Sequence, residues 1–186
     1  MSSALNQFLF AQVTEDQQRI LRYWWDHRGQ RPGLWVYGPR RSGTSYVAGV
    51  GCRKASGEMD PEEWQAPHII TAVSLIENLR LVWTLEDQAK RHPDDYGLWS
   101  EYDVERRLWE WIAVKPVLWV DDMHSGTLDM SFWRRHVQEH LEQRVKRGQI
   151  TIVATTYAPD DDALEGLTPV ILDLFEVIKC ESRGTG

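Results

Sequence analysis

The sequence predicts an α/β fold: a three-layer domain in which a parallel sheet of about five strands carries helices on both faces. Three observations predict it. Short apolar, β-branched runs alternate with helix-period segments along most of the 186 residues, the pattern of a sheet built from strand–helix–strand units. Leu34-Trp35-Val36-Tyr37 runs straight into the turn Gly38-Pro39-Arg40-Arg41-Ser42-Gly43-Thr44-Ser45 and then into the helix-like Ser45-Tyr46-Val47-Ala48. That is the setting in which G-x-x-x-x-G-K-[ST] cradles a phosphate chain. Finally, Val117-Leu118-Trp119-Val120-Asp121-Asp122 is an unbroken apolar run ending in two carboxylates. A strand buried on both faces reads this way, and its C-terminal end opens into the crevice where such sheets bind ligands.

In chain order, Thr14-Glu15-Asp16-Gln17 reads as a capping box. It opens a helix with Ile20, Leu21, Trp24 and Trp25 on its apolar face, and Gly29 to Gly33 ends it. The loop helix is expected over about Gly43 to Lys54, and Ser56 to Pro67 as a surface connection. His68 to Val73 reads as a short strand, with Ser74 capping a helix that turns Leu75, Ile76, Leu79, Val82 and Trp83 inward. His92 to Gly97 is a loop, and Tyr102 to Ile112 a helix with Leu108, Trp109 and Ile112 on one side. Asp129 to Arg147 is a further helix with Trp133, Val137, Leu141 and Val145 at four-residue spacing. Gln149 to Thr156 reads as a buried strand, Ala158 to Pro169 as a loop holding one helical turn, and Leu174 to Lys179 as the last strand. The organisation is a segment 1–13, one domain over 14–180 and a tail 181–186, with no separate lid domain.

The chemistry concentrates at three strand ends. Gly38, Pro39, Arg40, Arg41, Ser42, Gly43, Thr44 and Ser45 are the candidate nucleotide-binding residues. Most of the grip in such a loop comes from backbone N–H groups and the positive end of the following helix. Ser45 occupies the magnesium-binding hydroxyl position, but Thr44 stands where the lysine belongs. A charge-assisted contact of that kind is worth about 1.5–3 kcal/mol, so its loss weakens binding about tenfold to a hundredfold. Arg40 and Arg41 are candidates to compensate, and the sequence leaves open which. The competing reading is a strand–turn–helix that binds nothing. Asp121 is the second candidate magnesium ligand, since a hard cation prefers oxygen. Asp122 is a candidate catalytic residue that would orient or activate an attacking water.

This order of motifs resembles the AAA+ ATPases, and within them the bacterial helicase loaders, the DnaC- and IstB-like group. The residues that carry it are the Gly38-Pro39 start of the loop, the strand Val117 to Asp122, Phe132-Trp133 on a helix ending in Gln143-Arg144, and Thr151-Ile152-Val153-Ala154-Thr155-Thr156. The likeness spans about residues 15–180 and is one of order and texture; only the Asp-Asp strand is specific. It implies a P-loop fold, ATP and Mg2+ as ligands, and a polar side chain from Thr155 or Thr156 near the outer phosphate. A replicative helicase or initiator is the implied partner, homo-oligomerisation an implied state. Thr44 departs from the family, as do the Thr-Thr sensor end and Leu172-Asp173-Leu174-Phe175, where an arginine finger is usual; Arg183 is the nearest arginine. All three departures fall on catalysis, so ATP hydrolysis is expected to be weakened or lost. A non-catalytic adaptor that keeps the fold as an interaction surface is the alternative. A small-molecule kinase fits less well, because no Arg-rich lid follows the loop.

The net charge of −7 argues against a broad nucleic-acid surface. The clusters Arg134-Arg135 and Arg144-Val145-Lys146-Arg147 leave room for weak or indirect DNA contact only. No run reaches the roughly 18–20 apolar residues of a membrane span. The N-terminus lacks a signal-peptide pattern, and Cys52 and Cys180 fit two buried thiols, so a cytoplasmic location is expected. The six histidines show no ligand spacing with cysteines, and His136 and His140 read as a solvated helix face. Of ten tryptophans, Trp24, Trp35, Trp109, Trp119 and Trp133 are expected in the core, while Trp64 and Trp99 are loop residues suited to anchoring a partner.

Overall fold

Five short apolar runs become five strands because each finds a neighbour on the same sheet and a helix above or below it. The computed structural model describes residues 13–57, 67–124, 132, 137–164 and 168–181. Within these, the order is α1 (Glu15–His27), β1 (Gly33–Tyr37), α2 (Thr44–Gly57), β2 (His68–Thr71), α3 (Ala72–Arg91), α4 (Tyr96–Ala113), β3 (Val117–Met123), α5 (Gln138–Lys146), β4 (Ile150–Thr155), α6 (Thr168–Leu174) and β5 (Phe175–Lys179). The sheet order is β2-β3-β4-β1-β5, and every pairing is parallel. The expected α/β class, with a five-stranded parallel sheet between helices, is therefore the observed one.

Helices divide between the faces. Leu21, Trp24 and Trp25 of α1 and Val47, Ala48 and Ala55 of α2 pack with Leu34, Val36, Ile152 and Ala154 on one face. Leu75, Ile76 and Leu79 of α3, Ile112 of α4, Leu141 and Val145 of α5 and Ile171 of α6 pack with Trp35, Leu118, Val120 and Val153 on the other. The division follows from chain direction. From β1 the chain crosses over β4 and β3 to reach the edge strand β2, then works back across the sheet. Right-handed crossovers in opposite directions must lie on opposite faces. β1 and β4 are neighbours whose outgoing connections leave to opposite faces, which opens a crevice at their C-terminal ends.

The strand ends are in register. Tyr37 pairs with Thr155 and with Lys179, and Met123 with Thr155. Each ladder extends one residue further: Gly38 N donates to Thr155 O (3.2 Å), Thr156 N to Met123 O (3.0 Å) and Cys180 N to Tyr37 O (2.7 Å). The loop after β1 thus starts level with the ends of three neighbouring strands. Trp35 ties the layers together: it is fully buried, meets Phe175 edge-on at 5.9 Å, and its indole N–H donates to Tyr157 O at 3.1 Å.

Several boundaries differ from expectation. The Thr14 capping box is present, with Gln17 as its reciprocal partner. β2 stops at Thr71 instead of Val73, because the Thr71 side chain accepts from Ser74 N and caps α3 itself. α4 begins at Tyr96, six residues before the expected Tyr102. Asp95 caps it by accepting from Gly97 N and Leu98 N, which shortens the loop expected over His92 to Gly97. α6 occupies Thr168–Leu174, where a loop was expected up to Pro169 and a strand from Leu174. A proline in the first helical turn costs no hydrogen bond, so Pro169 does not forbid it. α2 runs to Gly57 instead of Lys54.

Side-chain placements also differ. Trp83 and Leu108, expected inward, are exposed; the Trp83 ring meets Phe132 edge-on. Trp119 is only partly buried. Trp99, a partner-anchor candidate, turns its indole N–H to Pro93 O. His140 packs against Trp109 at 4.9 Å instead of facing solvent. Arg144, read as part of a surface basic cluster, is 4% exposed. Its guanidinium donates to Ala113 O, Lys115 O and Ile150 O at 2.6, 2.7 and 3.2 Å. It joins α4 to the starts of β3 and β4 and is closed to nucleic acid. Residues 1–12, the connection around Trp64, Trp133, Arg134, Arg135, His136 and Arg183 lie outside the described residues.

Candidate functional site

The loop that follows β1 is held in an unusual backbone. Ser42 N donates to Pro39 O at 3.1 Å, Arg41 has φ 68° and Gly43 φ 91°. Left-handed residues are the conformations that turn successive amides toward one side of a loop. Gly43 accepts that conformation without strain, whereas Arg41 adopts it at a cost. Gly38 is required for a different reason: a Cβ there would lie 2.2 Å from Cys180 O. The first helical bond of α2 runs from Val47 N to Gly43 O. Helix geometry therefore leaves the amides of Thr44 and Ser45 with no carbonyl of their own helix to meet. These groups and the helix dipole make the start of α2 electropositive.

Across the sheet, β3 splits its two carboxylates. The pairing of β3 with β4 shifts between Val120 and Met123, and Asp122 has φ 56°. One extra residue bulges there, the usual device for re-aiming a side chain. Val120 and Met123 both face the α3 side as a result, and Asp122 is turned out, its side chain 64% exposed. Asp121 stays in the pleat on the same face as Trp119 and Val117, the α2 side.

Periodicity places Ser45 and Asp121 toward one end of the sheet. A Cβ on Gly49 would lie 3.3 Å from the Trp119 ring, so Gly49 sits over Trp119. Ser45 is one helical step of four residues nearer the helix start, about 6 Å along the axis. Asp121 is two residues further along the strand, about 6.6 Å. Helix and strand run in opposite senses, so the two displacements carry Ser45 and Asp121 toward the same rim of the sheet. Asp121 Oδ1 is buried with no hydrogen-bond partner among the described residues. A buried carboxylate oxygen left unpaired is costly, and a hard cation would satisfy it. The donor set of one hydroxyl and one carboxylate fits magnesium, which keeps several waters and takes further oxygens from phosphates. Among the described residues no three His, Cys, Asp or Glu side chains gather as a metal cage.

The loop and the acidic strand meet at a residue that sequence reasoning passed over. His124, the first residue past β3, is 8% exposed. Arg40 Nη2 lies 2.8 Å from its Nε2, and Asp122 Oδ1 lies 3.3 Å from the same nitrogen. The only available signal was position: a polar residue just beyond the C-terminal end of a central strand.

Thr155, the candidate at the end of β4, is 3% exposed, and its hydroxyl accepts from Tyr157 N at 3.0 Å. Thr156 is the more open of the two threonines. Both lie between the loop and the acidic end, because β4 is inserted between β1 and β3.

Two cavities flank the loop. One of about 600 Å³ lies between α1, the loop and the end of β5, lined by Thr14, Gln17, Ile20, Tyr46, Val47 and Lys179 among others. The other, about 420 Å³, lies on the far side of α2 and includes Ser45, Gly49, Ile69 and Trp119. Cys52 and Cys180 are buried free thiols, and burial pushes each up to about 11, so neither is a nucleophile at neutral pH.

Fold and site define a three-layer α/β protein with a glycine-bounded loop and an acidic strand end at one rim. No protein-family model matches the chain, and no curated protein matches it. Among the described residues, no helix is long and apolar enough to cross a membrane.

Proposed function

We propose that this chain is an AAA+-like nucleotide-binding protein of the helicase-loader type, with weakened or lost ATP hydrolysis. The observation that carries the reading is the convergence of the loop and the acidic strand. β4 separates β1 from β3, yet Arg40 of the loop and Asp122 of the acidic end reach the same imidazole nitrogen. On this reading the amides at the start of α2 hold the phosphates, and Ser45 and Asp121 supply the protein's ligands to Mg2+. Thr156, or Thr155 at the cost of its turn contact, faces the outer phosphate. The cavity of about 600 Å³ beside the loop is large enough for a nucleoside. Bound magnesium would supply charge neutralisation at the phosphates; Asp122 would orient a water at its exposed carboxylate. A replicative helicase or initiator in the cytoplasm is the proposed partner, with DNA contact weak or indirect.

Thr44 favours a second reading, a non-catalytic adaptor using the same fold, since the lysine that offsets charge during phosphoryl transfer is replaced. Thermal unfolding with and without MgATP separates nucleotide binding from its absence. Ligand at a hundred times its Kd stabilises by about 2.7 kcal/mol, a shift of several degrees. Phosphate release that disappears in Asp122→Asn favours the ATPase; a nucleotide-induced shift without release favours an adaptor that retains its ligand. No shift at millimolar MgATP overturns the nucleotide reading.

A further inference from the structure

We propose that His124 is a positioning residue that holds Arg40 as the loop's phosphate-binding cation, the task vacated at Thr44. The inference rests on the nucleotide reading above and names the residue pair that would give it outer-phosphate affinity. An arginine has donors and no acceptor. At 2.8 Å from Arg40 Nη2, His124 Nε2 is therefore the acceptor of this contact, which calls for the tautomer with its proton on Nδ1. In that tautomer Nε2 has no proton to give to Asp122, 3.3 Å away. The imidazole lone pair and the carboxylate both present negative character to the guanidinium, and the loop's cation is drawn toward the acidic end.

The two arginines of the loop differ in this respect. Arg40 is exposed, so without an anchor its long side chain would sample many rotamers at an entropic cost on ordering. His124 is almost fully buried and stands on the rigid end of a central strand, so it supplies a fixed acceptor. Arg41 has its backbone in the left-handed region, and its main chain shapes the turn. Arg40 is the one tied to the acidic end of β3, through His124. The guanidinium keeps further N–H donors beyond the one facing His124 and would present them to the outer phosphates.

The test is titration calorimetry with MgATP and with AMP on the full chain, Arg40→Ala, His124→Phe, His124→Gln and the double variant Arg40→Ala/His124→Phe. Phe keeps a ring without an acceptor, and Gln restores an acceptor near the Nε2 position. Expected are a loss of MgATP affinity of about tenfold to a hundredfold in Arg40→Ala and a smaller loss, of about threefold to tenfold, in His124→Phe. His124→Gln recovers most of that loss, and AMP affinity stays level throughout. Because His124 acts through Arg40, the double variant binds like Arg40→Ala alone. Additive losses in the double variant, or His124→Phe binding MgATP like the parent with its melting temperature retained, would overturn the assignment and leave the nucleotide reading standing. No heat from the parent chain with millimolar MgATP would overturn both.

Discussion

Cys52 shows how burial sets chemistry at single residues. It lies on α2 at 4% exposure, and burial raises its thiol to about 11 against an ordinary 9.0, opposed in part by the Ser56 hydroxyl. The folded state holds its proton where the unfolded chain has lost it. The associated stability is complete below pH 9 and is lost as pH rises through 11. Two units correspond to about 2–3 kcal/mol. Urea midpoints at pH 8 and pH 11 should therefore fall further apart in the parent than in Cys52→Ala; equal falls would show that Cys52 titrates alike folded and unfolded. At this scale the sequence was legible where chemistry is local. Gly38 and Gly43 were read from spacing, and each has a structural reason. Arg144 and His124 were not, because their roles depend on main-chain carbonyls and side chains from distant segments. Nothing local tells a buried guanidinium from a solvated one.

Among elements, legibility followed length and periodicity. The strand Val117–Met123 was plain as an apolar run, but the bulge that splits Asp121 from Asp122 leaves no pattern, being set by the register against β4. The expected Ser74 cap was displaced because Thr71 and Ser74 are both competent caps, and burial of Ala72 decides for the earlier one. Thr71 Oγ1 accepts from Ser74 N at 3.1 Å. Thr71→Ala should lower stability by about 1 kcal/mol, and Thr71→Asn by much less. Chemical denaturation of the two variants checks this, and Ser74→Ala losing as much as Thr71→Ala would restore Ser74 as the cap. The short α6 escaped for lack of length, since seven residues give under two turns of periodicity.

For the whole molecule, strand order decides what the separate motifs can do together. Alternation of strands and helices made the parallel sheet readable, but no local feature says that β4 lies between β1 and β3. That insertion puts the polar end of β4 beside both the loop and the carboxylates, so three polar strand ends share one rim of the sheet. The central claim is that this rim binds a nucleotide with magnesium held at Ser45 and Asp121. Titration calorimetry with ATP, with and without magnesium, on the parent and on Asp121→Ala tests it most directly. The account predicts binding by the parent at about micromolar Kd, tighter with magnesium, and an Asp121→Ala variant that binds more weakly and no longer responds to the metal. No heat at millimolar ATP, or an Asp121→Ala variant with the parent's magnesium dependence, would contradict it.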